Sequence, residues 1–182
     1  MSVRYVYGDL LESGCEYICH QVNCQGAMGS GIAGAIRRKW PQIFNHYIFW
    51  NKSFERIDEN HVARYDDMLG EILIVDVGND TRVINMAAQY GYGADGNRYT
   101  SYDAFWNCLN LIKYEVPKNS IIGFPYGIGC GLGGANWTII RAMIEEVLGK
   151  DYSVVIYQLE PKVKRGASCI YNNVERDWDF CK

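Results

Sequence analysis

The feature that most constrains the fold is a strand that runs through a glycine-rich loop into a helix, at residues 19–37. An apolar strand breaks at Asn23, and the helix continues toward Lys39. The loop between them carries three glycines, namely Gly26, Gly29 and Gly31. Bare backbone N–H groups and the partial positive charge of a helix N-terminus together suit an anion. A plain structural turn is the alternative, because the glycine spacing matches neither the dinucleotide-binding fingerprint nor a P-loop.

A second unit of the same kind comes later in the chain. The apolar run 120–123 leads into the glycine-rich stretch 124–134, and a periodic helix follows. In an open α/β sheet, loops at the carboxyl ends of the strands share one rim, where ligands bind. We therefore expect the two loops to face each other and to hold a diphosphate through backbone N–H groups. Neither loop contains a lysine or arginine, which fits recognition by the backbone.

Hydrophobic periodicity predicts a sheet with helices between its strands. The predicted strands are 3–7, 17–22, 71–77, 82–89, 120–125 and 153–159. The predicted helices are 31–39, a further turn from Pro41, a helix that begins at a capping box at 100–103, and 135–148. A hairpin turn is expected at 78–80, and the polar segment 51–65 is expected to be a surface connection with partial helix. This order predicts a three-layer α/β/α fold with a mixed, mostly parallel six-stranded sheet.

Length and composition fit one soluble globular domain. The chain has 182 residues and a net charge of −3, which argues against a protein that grips nucleic acid through a basic surface. It opens on strand-like residues rather than a secretory signal, and no apolar run is long enough for a membrane span. Its seven cysteines are expected to be reduced thiols, which predicts a cytoplasmic location.

A zinc site is the alternative use of some of these thiols. Cys15, Cys19, His20 and Cys24 are close in sequence, but their spacing fits no usual zinc site. Alternate residues of a strand also point to opposite faces of the sheet. We therefore expect neither a metal nor a cofactor.

Three motifs, in this order, resemble the macrodomain family of ADP-ribose-binding modules. They are Gly8-Asp9-Leu10, then Val22-Asn23 followed by Gly29-Ser30-Gly31-Ile32-Ala33, then Gly127-Ile128-Gly129-Cys130-Gly131. The stretches 20–23 and 28–33 are most similar to the ADP-ribose 1''-phosphate phosphatase-like macrodomains of phage, bacteria and yeast. The resemblance covers about residues 3–160. Residues 1–160 are therefore interpreted as the macrodomain. Residues 161–182 are interpreted as a tail of unknown role, predicted to pack on the domain through Trp178 and Phe180.

The resemblance implies ADP-ribose or ADP-ribose 1''-phosphate as the ligand, with ADP-ribosylated macromolecules as further partners. It places the adenine at Asp9, Tyr157 and Leu159, and it makes Leu10 a further ligand-binding residue. It places the diphosphate at the first loop, Gly29, Ser30, Gly31, Ile32 and Ala33, and at the second loop, Gly127, Ile128, Gly129, Cys130, Gly131 and Leu132. It places the distal ribose at Asn23, with Tyr90 or Tyr92 as a cover.

Each of these roles has a structural alternative. The alternative for Asp9 is a turn or cap residue, and the alternative for Asn23 is an Asx-turn residue that shapes the loop. Tyr157 and Leu159 suit ordinary packing on an edge strand, and tyrosines such as Tyr90 suit an exposed loop.

The enzymatic role that the resemblance implies is hydrolysis of the 1''-phosphate, with His20 as acid or base and Asn23 orienting it. A buried core histidine is the alternative. Two other catalytic patterns of the family are missing here. Ala33 stands in place of an acidic residue, and Met86 and Gly133 stand where another branch has a lysine and an aspartate. A non-catalytic module that reads or sequesters an ADP-ribose-related nucleotide is therefore the second hypothesis.

Overall fold

A computed structural model describes residues 3–160, so the predicted packing of Trp178 and Phe180 lies outside the described residues. The α-helices within this range are α1 (Gly31–Lys39), α2 (Pro41–Ser53), α3 (Tyr102–Glu115) and α4 (Trp137–Leu148). The strands are β1 (Arg4–Tyr7), β2 (Tyr17–Asn23), β3 (Arg56–Ile57), β4 (Ala63–Arg64), β5 (Ile72–Gly78), β6 (Thr81–Gln89), β7 (Ile121–Pro125) and β8 (Ser153–Gln158). Short 3₁₀ helices span Leu10–Glu12 and Asp66–Met68.

Six of the strands form one sheet in the order β1-β8-β7-β2-β6-β5. All neighbouring pairs are parallel except β5 and β6, which pair antiparallel at one edge. The predicted mixed, mostly parallel six-stranded sheet is therefore confirmed. The parallel arrangement brings the carboxyl ends of five strands, β1, β8, β7, β2 and β6, to one rim.

Helices cover both faces of the sheet, as the three-layer prediction requires. On one face α3 and α4 bury residues such as Phe105 and Ile144 against the sheet. On the other face α1 and α2 bury Ile36, Ile43 and Tyr47. Within residues 3–160, no helix is both long enough and apolar enough to cross a lipid bilayer.

The segment predicted as a surface connection is more ordered than its polar sequence indicates. Helix α2 continues to Ser53, and β3 and β4 then form a small antiparallel hairpin. The turn between these strands is closed by Asp58, whose Oδ1 accepts hydrogen bonds from the N–H groups of Asn60 and Val62, each at 2.9 Å. Local side-chain hydrogen bonds of this kind leave no hydrophobic periodicity in the sequence.

Two helix starts also differ from the prediction. Helix α3 is capped by Ser101, whose Oγ accepts from the N–H of Ala104 at 3.2 Å, rather than by Thr100 at the start of the predicted box. Helix α4 begins at Trp137 instead of residue 135, because Asn136 is its N-cap and accepts from the N–H of Thr138 at 2.8 Å. In both helices, the start lies one or two residues after the start that the sequence pattern predicts, because a polar side chain caps the helix there.

His20 lies within the sheet, on the same face of β2 as the core residues Ile18 and Val22. It is fully buried, and its Nε2 lies 2.8 Å from Asn85 Oδ1. Asn85 donates through Nδ2 to the carbonyl of Leu73 at 3.1 Å, so its Oδ1 faces His20 and His20 Nε2 carries the proton. Burial lowers the pKa of His20 to about 4, and the hydrogen bond to Asn85 opposes this shift.

We expect this histidine to make the free energy of unfolding depend on pH. Above the ordinary histidine pKa of about 6.5, His20 is neutral in both the folded and the unfolded chain. Between about pH 6.5 and 4 only the unfolded chain takes up the proton, so the free energy of unfolding falls as the pH falls. The contribution approaches about 1.4 kcal/mol per pH unit.

Urea unfolding at several pH values between 7 and 4 measures this effect. The variant His20→Gln should lose part of the slope, whereas His46→Gln, which changes an exposed histidine, should keep the wild-type slope. Equal slopes in wild type and His20→Gln would contradict the prediction.

Candidate ligand-binding cleft

A cleft of about 1220 Å³ opens at the rim where the parallel strands end. Both glycine loops line it, and so do the end of β1, the end of β8 and the loop after β6. Most of the predicted ligand-binding residues line this cleft together: Asp9, Leu10, Asn23, Gly29, Ser30, Gly31, Ile32, Ala33, Gly127, Ile128, Gly129, Gly131, Leu132, Tyr157 and Leu159. His20, Tyr90 and Cys130 do not line it.

The first glycine loop presents the start of α1 to the cleft. Ser30 is the N-cap of α1, with an extended backbone and no capping hydrogen bond from its side chain. The first turn of a helix leaves its N–H groups without partners inside the helix. Within residues 3–160, the N–H groups of Gly31, Ile32 and Ala33 have no protein acceptor. They are therefore open donors at the positive end of the helix dipole.

Asn23 holds this loop in shape. Its Oδ1 accepts from the N–H groups of Gln25 at 2.9 Å and Ala27 at 3.1 Å, and its Nδ2 donates to the carbonyl of Ala27 at 2.6 Å. Tyr47, from α2, donates its hydroxyl to the backbone carbonyl of Asn23 at 2.7 Å. The Asx-turn role is thus present, and contact with a ribose stays a prediction.

The second glycine loop lines the cleft without the help of a helix dipole. Gly127 and Gly129 have positive φ angles of 69° and 74°, which glycine adopts without steric cost. The N–H groups of Gly129 and Gly131 have no acceptor within the described residues. Helix α4 begins well after the loop, and Asn136 caps its N-terminus.

The end of the cleft near β1 and β8 carries the residues predicted for adenine. Asp9 caps the 3₁₀ helix Leu10–Glu12, with Oδ1 accepting from the N–H of Leu11 at 2.9 Å. Its second carboxylate oxygen has no hydrogen bond to residues 3–160. Leu159 is 69% exposed beside Tyr157, so an apolar surface is available for a ring to stack on.

Three predicted site residues lie away from the cleft. His20 points into the buried layer under α1 and α2, so its position does not suit an acid or base that touches a ligand. Tyr90 packs against the hydrophobic core on the same side, while Tyr92 lines the cleft and is 56% exposed. Cys130 packs on the opposite core, and burial raises the pKa of its thiol to about 11. It is therefore a neutral thiol near pH 7.

Met86 does not line the cleft. It is fully buried between the sheet and the helices α3 and α4. A side chain there points into the core instead of the rim. Gln89, at the carboxyl end of β6, is the β6 residue that lines the cleft, and Gly133 lines it from the second loop.

The cleft also contains polar residues that the sequence did not single out. They are Gln21, Gln89, Gln158 and Arg38. Gln21 lies two residues before Asn23 on β2, but the strand register shifts between Val22 and Asn23. The Gln21 side chain bonds to Thr100 whereas that of Asn23 bonds to Tyr47 of α2, so strand alternation did not point to Gln21. Among the lining residues within 3–160, Asp9 and Arg38 are the charged ones. Arg38 lies in the last turn of α1 and not in the glycine loop.

Comparison with known proteins agrees with this architecture. No model of a protein family matches the chain. The DNA ADP-ribosyl glycohydrolase of Mycobacterium tuberculosis is 27% identical over 160 residues, which are 85% of this chain and 42% of that protein. The chain thus spans less than half the length of this relative.

Two further proteins are similar. The ADP-ribose 1''-phosphate phosphatase of the yeast Meyerozyma guilliermondii is 26% identical over 111 residues, which are 56% of this chain and 59% of that protein. The solved structure of a macrodomain protein from Streptomyces coelicolor superposes with a TM-score of 0.64 at 25% identity, and the match covers 86% of this chain and 98% of that one.

We expect the hydroxyl of Tyr47 to stabilise the first glycine loop. Tyr47 is fully buried, and its hydroxyl is a donor to both the carbonyl and the side chain of Asn23. Tyr47→Phe removes this donor from a buried site, which should lower the free energy of unfolding by about 1–3 kcal/mol. Urea unfolding measures it. Tyr114→Phe is the matched control, because Tyr114 is 87% exposed, and its stability should equal that of wild type. Equal stability of both variants would contradict the prediction.

Proposed function

Because this chain belongs to the macrodomain family, we propose that it binds ADP-ribose or a derivative of ADP-ribose in the cleft at the carboxyl rim of its sheet. The observation that carries this proposal is the pair of facing glycine loops with open backbone donors. Backbone N–H groups and a helix N-terminus bind a diphosphate without needing a charged side chain. The volume of about 1220 Å³ is ample for a nucleotide of this size.

The proposed orientation follows from the chemistry at each end of the cleft. Adenine lies against Tyr157 and Leu159, with its exocyclic amine donating to the free oxygen of Asp9. The diphosphate lies between Ser30 and Gly129. The distal ribose then reaches the end lined by amide side chains and Tyr92. Arg38 supports the same ligand, because a cation at the cleft wall attracts the diphosphate.

Hydrolysis of ADP-ribose 1''-phosphate is the second candidate function, and the similarity to the yeast phosphatase favours it. Phosphoryl transfer needs charge stabilisation and a positioned nucleophile. The buried His20 does not supply either from its position. Within residues 3–160, the distal end of the cleft is lined by neutral amides and hydroxyls instead of a histidine, lysine or carboxylate. These features favour a module that reads or sequesters ADP-ribose, either free or attached to a macromolecule.

The cytoplasmic location belongs to this proposal and stays a prediction. We also predict that nucleic acid is not a direct partner, and the net charge of −3 supports this prediction.

The adenine assignment is tested with Asp9→Asn. Asparagine keeps an oxygen that caps the helix Leu10–Glu12, but it removes the charged acceptor. Since hydrogen bonds to charged groups contribute about 1.5–3 kcal/mol, the affinity for ADP-ribose should fall by about tenfold or more. Isothermal titration calorimetry measures this, with ribose 5-phosphate as the ligand control. Equal weakening of ADP-ribose and ribose 5-phosphate would refute the assignment.

A phosphorus NMR time course with ADP-ribose 1''-phosphate separates the two candidate functions. A module that only binds should shift the diphosphate signals while the monoester signal keeps its intensity. Growth of inorganic phosphate would instead establish the phosphatase. Signals that do not change at all would refute the ligand class itself.

A further inference from the structure

A chain of polar side chains connects both sides of the distal end of the cleft. Gln89 Nε2 donates to the carbonyl of Gly91 at 2.8 Å, and Gln89 Oε1 accepts from Gln21 Nε2 at 2.6 Å. Gln21 Nε2 also donates to Thr100 Oγ1 at 2.8 Å, and Thr100 donates its hydroxyl to the carbonyl of Gly129 at 2.9 Å. The chain therefore runs from the loop after β6 to the second glycine loop.

Two backbone carbonyls determine the direction of every bond in this chain. A carbonyl only accepts, so Gly91 requires the Nε2 end of Gln89, and the Oε1 end of Gln89 must face Gln21. Gln21 must then present its Nε2. Thr100 accepts from that Nε2 and uses its own proton on Gly129. The amide orientations are therefore set by the network itself, and both protons of Gln21 Nε2 are committed.

The remaining atom of this network is Gln21 Oε1. It is buried and has no hydrogen-bond partner among the described residues. A Cβ atom at Gly129 would lie 2.7 Å from it, so Oε1 lies directly against the backbone of the second glycine loop. Buried polar atoms are almost always hydrogen-bonded, and one without a partner calls for an explanation. Gln21 itself is part of the cleft wall.

We propose that Gln21 is a specificity-determining residue of this cleft, and that its Oε1 accepts a hydrogen bond from a hydroxyl of the distal ribose. This inference rests on the proposed ADP-ribose function and adds to it which side chain reads the ribose. A hydroxyl donor satisfies the one uncommitted acceptor of the network. A ligand that ends at the diphosphate leaves that acceptor unsatisfied. The cleft therefore distinguishes a ligand that has a distal ribose from one that lacks it by this hydrogen bond.

The test compares ADP-ribose with ADP, which shares the adenosine and the diphosphate but has no distal ribose. Calorimetry gives both affinities for the wild type and for Gln21→Met, which keeps the side-chain length and removes the amide. The affinity for ADP-ribose should fall by about three- to tenfold, as expected for one hydrogen bond. The affinity for ADP should stay unchanged, which also shows that the variant is folded.

Gln158→Met is the matched control. Gln158 also lines the cleft and also has a buried Oε1 without a partner, but it lies at the end of β8, beside the predicted adenine site. Its replacement should change the affinities for ADP and ADP-ribose by the same factor.

A second variant, Thr100→Val, removes the hydroxyl that holds Gln21 against Gly129. It should lower the affinity for ADP-ribose more than that for ADP, because Thr100 is a positioning residue for Gln21.

The outcomes separate the two proposals. If the wild type binds both ligands and Gln21→Met lowers both equally, or neither, the inference about Gln21 is overturned and the proposed function stands. If the wild type binds neither ligand, the proposed function is overturned and the inference with it.

Discussion

The cleft depends on how Asn23 ends the central strand β2. Its side chain accepts from two loop N–H groups and donates to a loop carbonyl, and Tyr47 of α2 donates to it from the neighbouring layer. These bonds turn the chain sharply away from the sheet and bring the start of α1 to the rim. The N–H groups of Gly31, Ile32 and Ala33 stay open for a ligand because no side chain caps them. An anion site of this kind depends on the orientation of backbone N–H groups more than on charged side chains.

Few charged side chains line the described part of the cleft. Asp9 and Arg38 are the charged residues among the described lining residues, whereas the distal end carries amides and hydroxyls. His20, which the family resemblance singles out, is buried and has a pKa of about 4. A side chain three residues before the end of a strand lies about 10 Å from the rim, since a strand rises about 3.3 Å per residue. The same burial that makes His20 a core residue keeps it away from the cleft.

Much of the cleft was predictable because its residues follow directly from strand ends. The glycine loops, Asp9 and Asn23 occur where predicted strands stop, and parallel strands bring such ends together. The difference at the start of α3 has a local cause, because Thr100 fits a capping pattern but bonds to Gly129 and Gln21 instead. Tyr90 and Tyr92 are two residues apart in an irregular loop, where no periodicity distinguishes inside from outside.

By itself the sequence determined the six strands of the main sheet, its mixed character and the two glycine loops, because hydrophobic periodicity and glycine spacing are local properties of the chain. The family followed from the resemblance of three motifs. Only the tertiary structure decided which polar side chains reach the cleft. Gln21, Gln89 and Thr100 come from three separate segments and meet only when β2 pairs with β6 and the second loop folds over them. A hydrogen bond between distant segments depends on distance and direction in space, and neither is encoded in the spacing of residues along the chain.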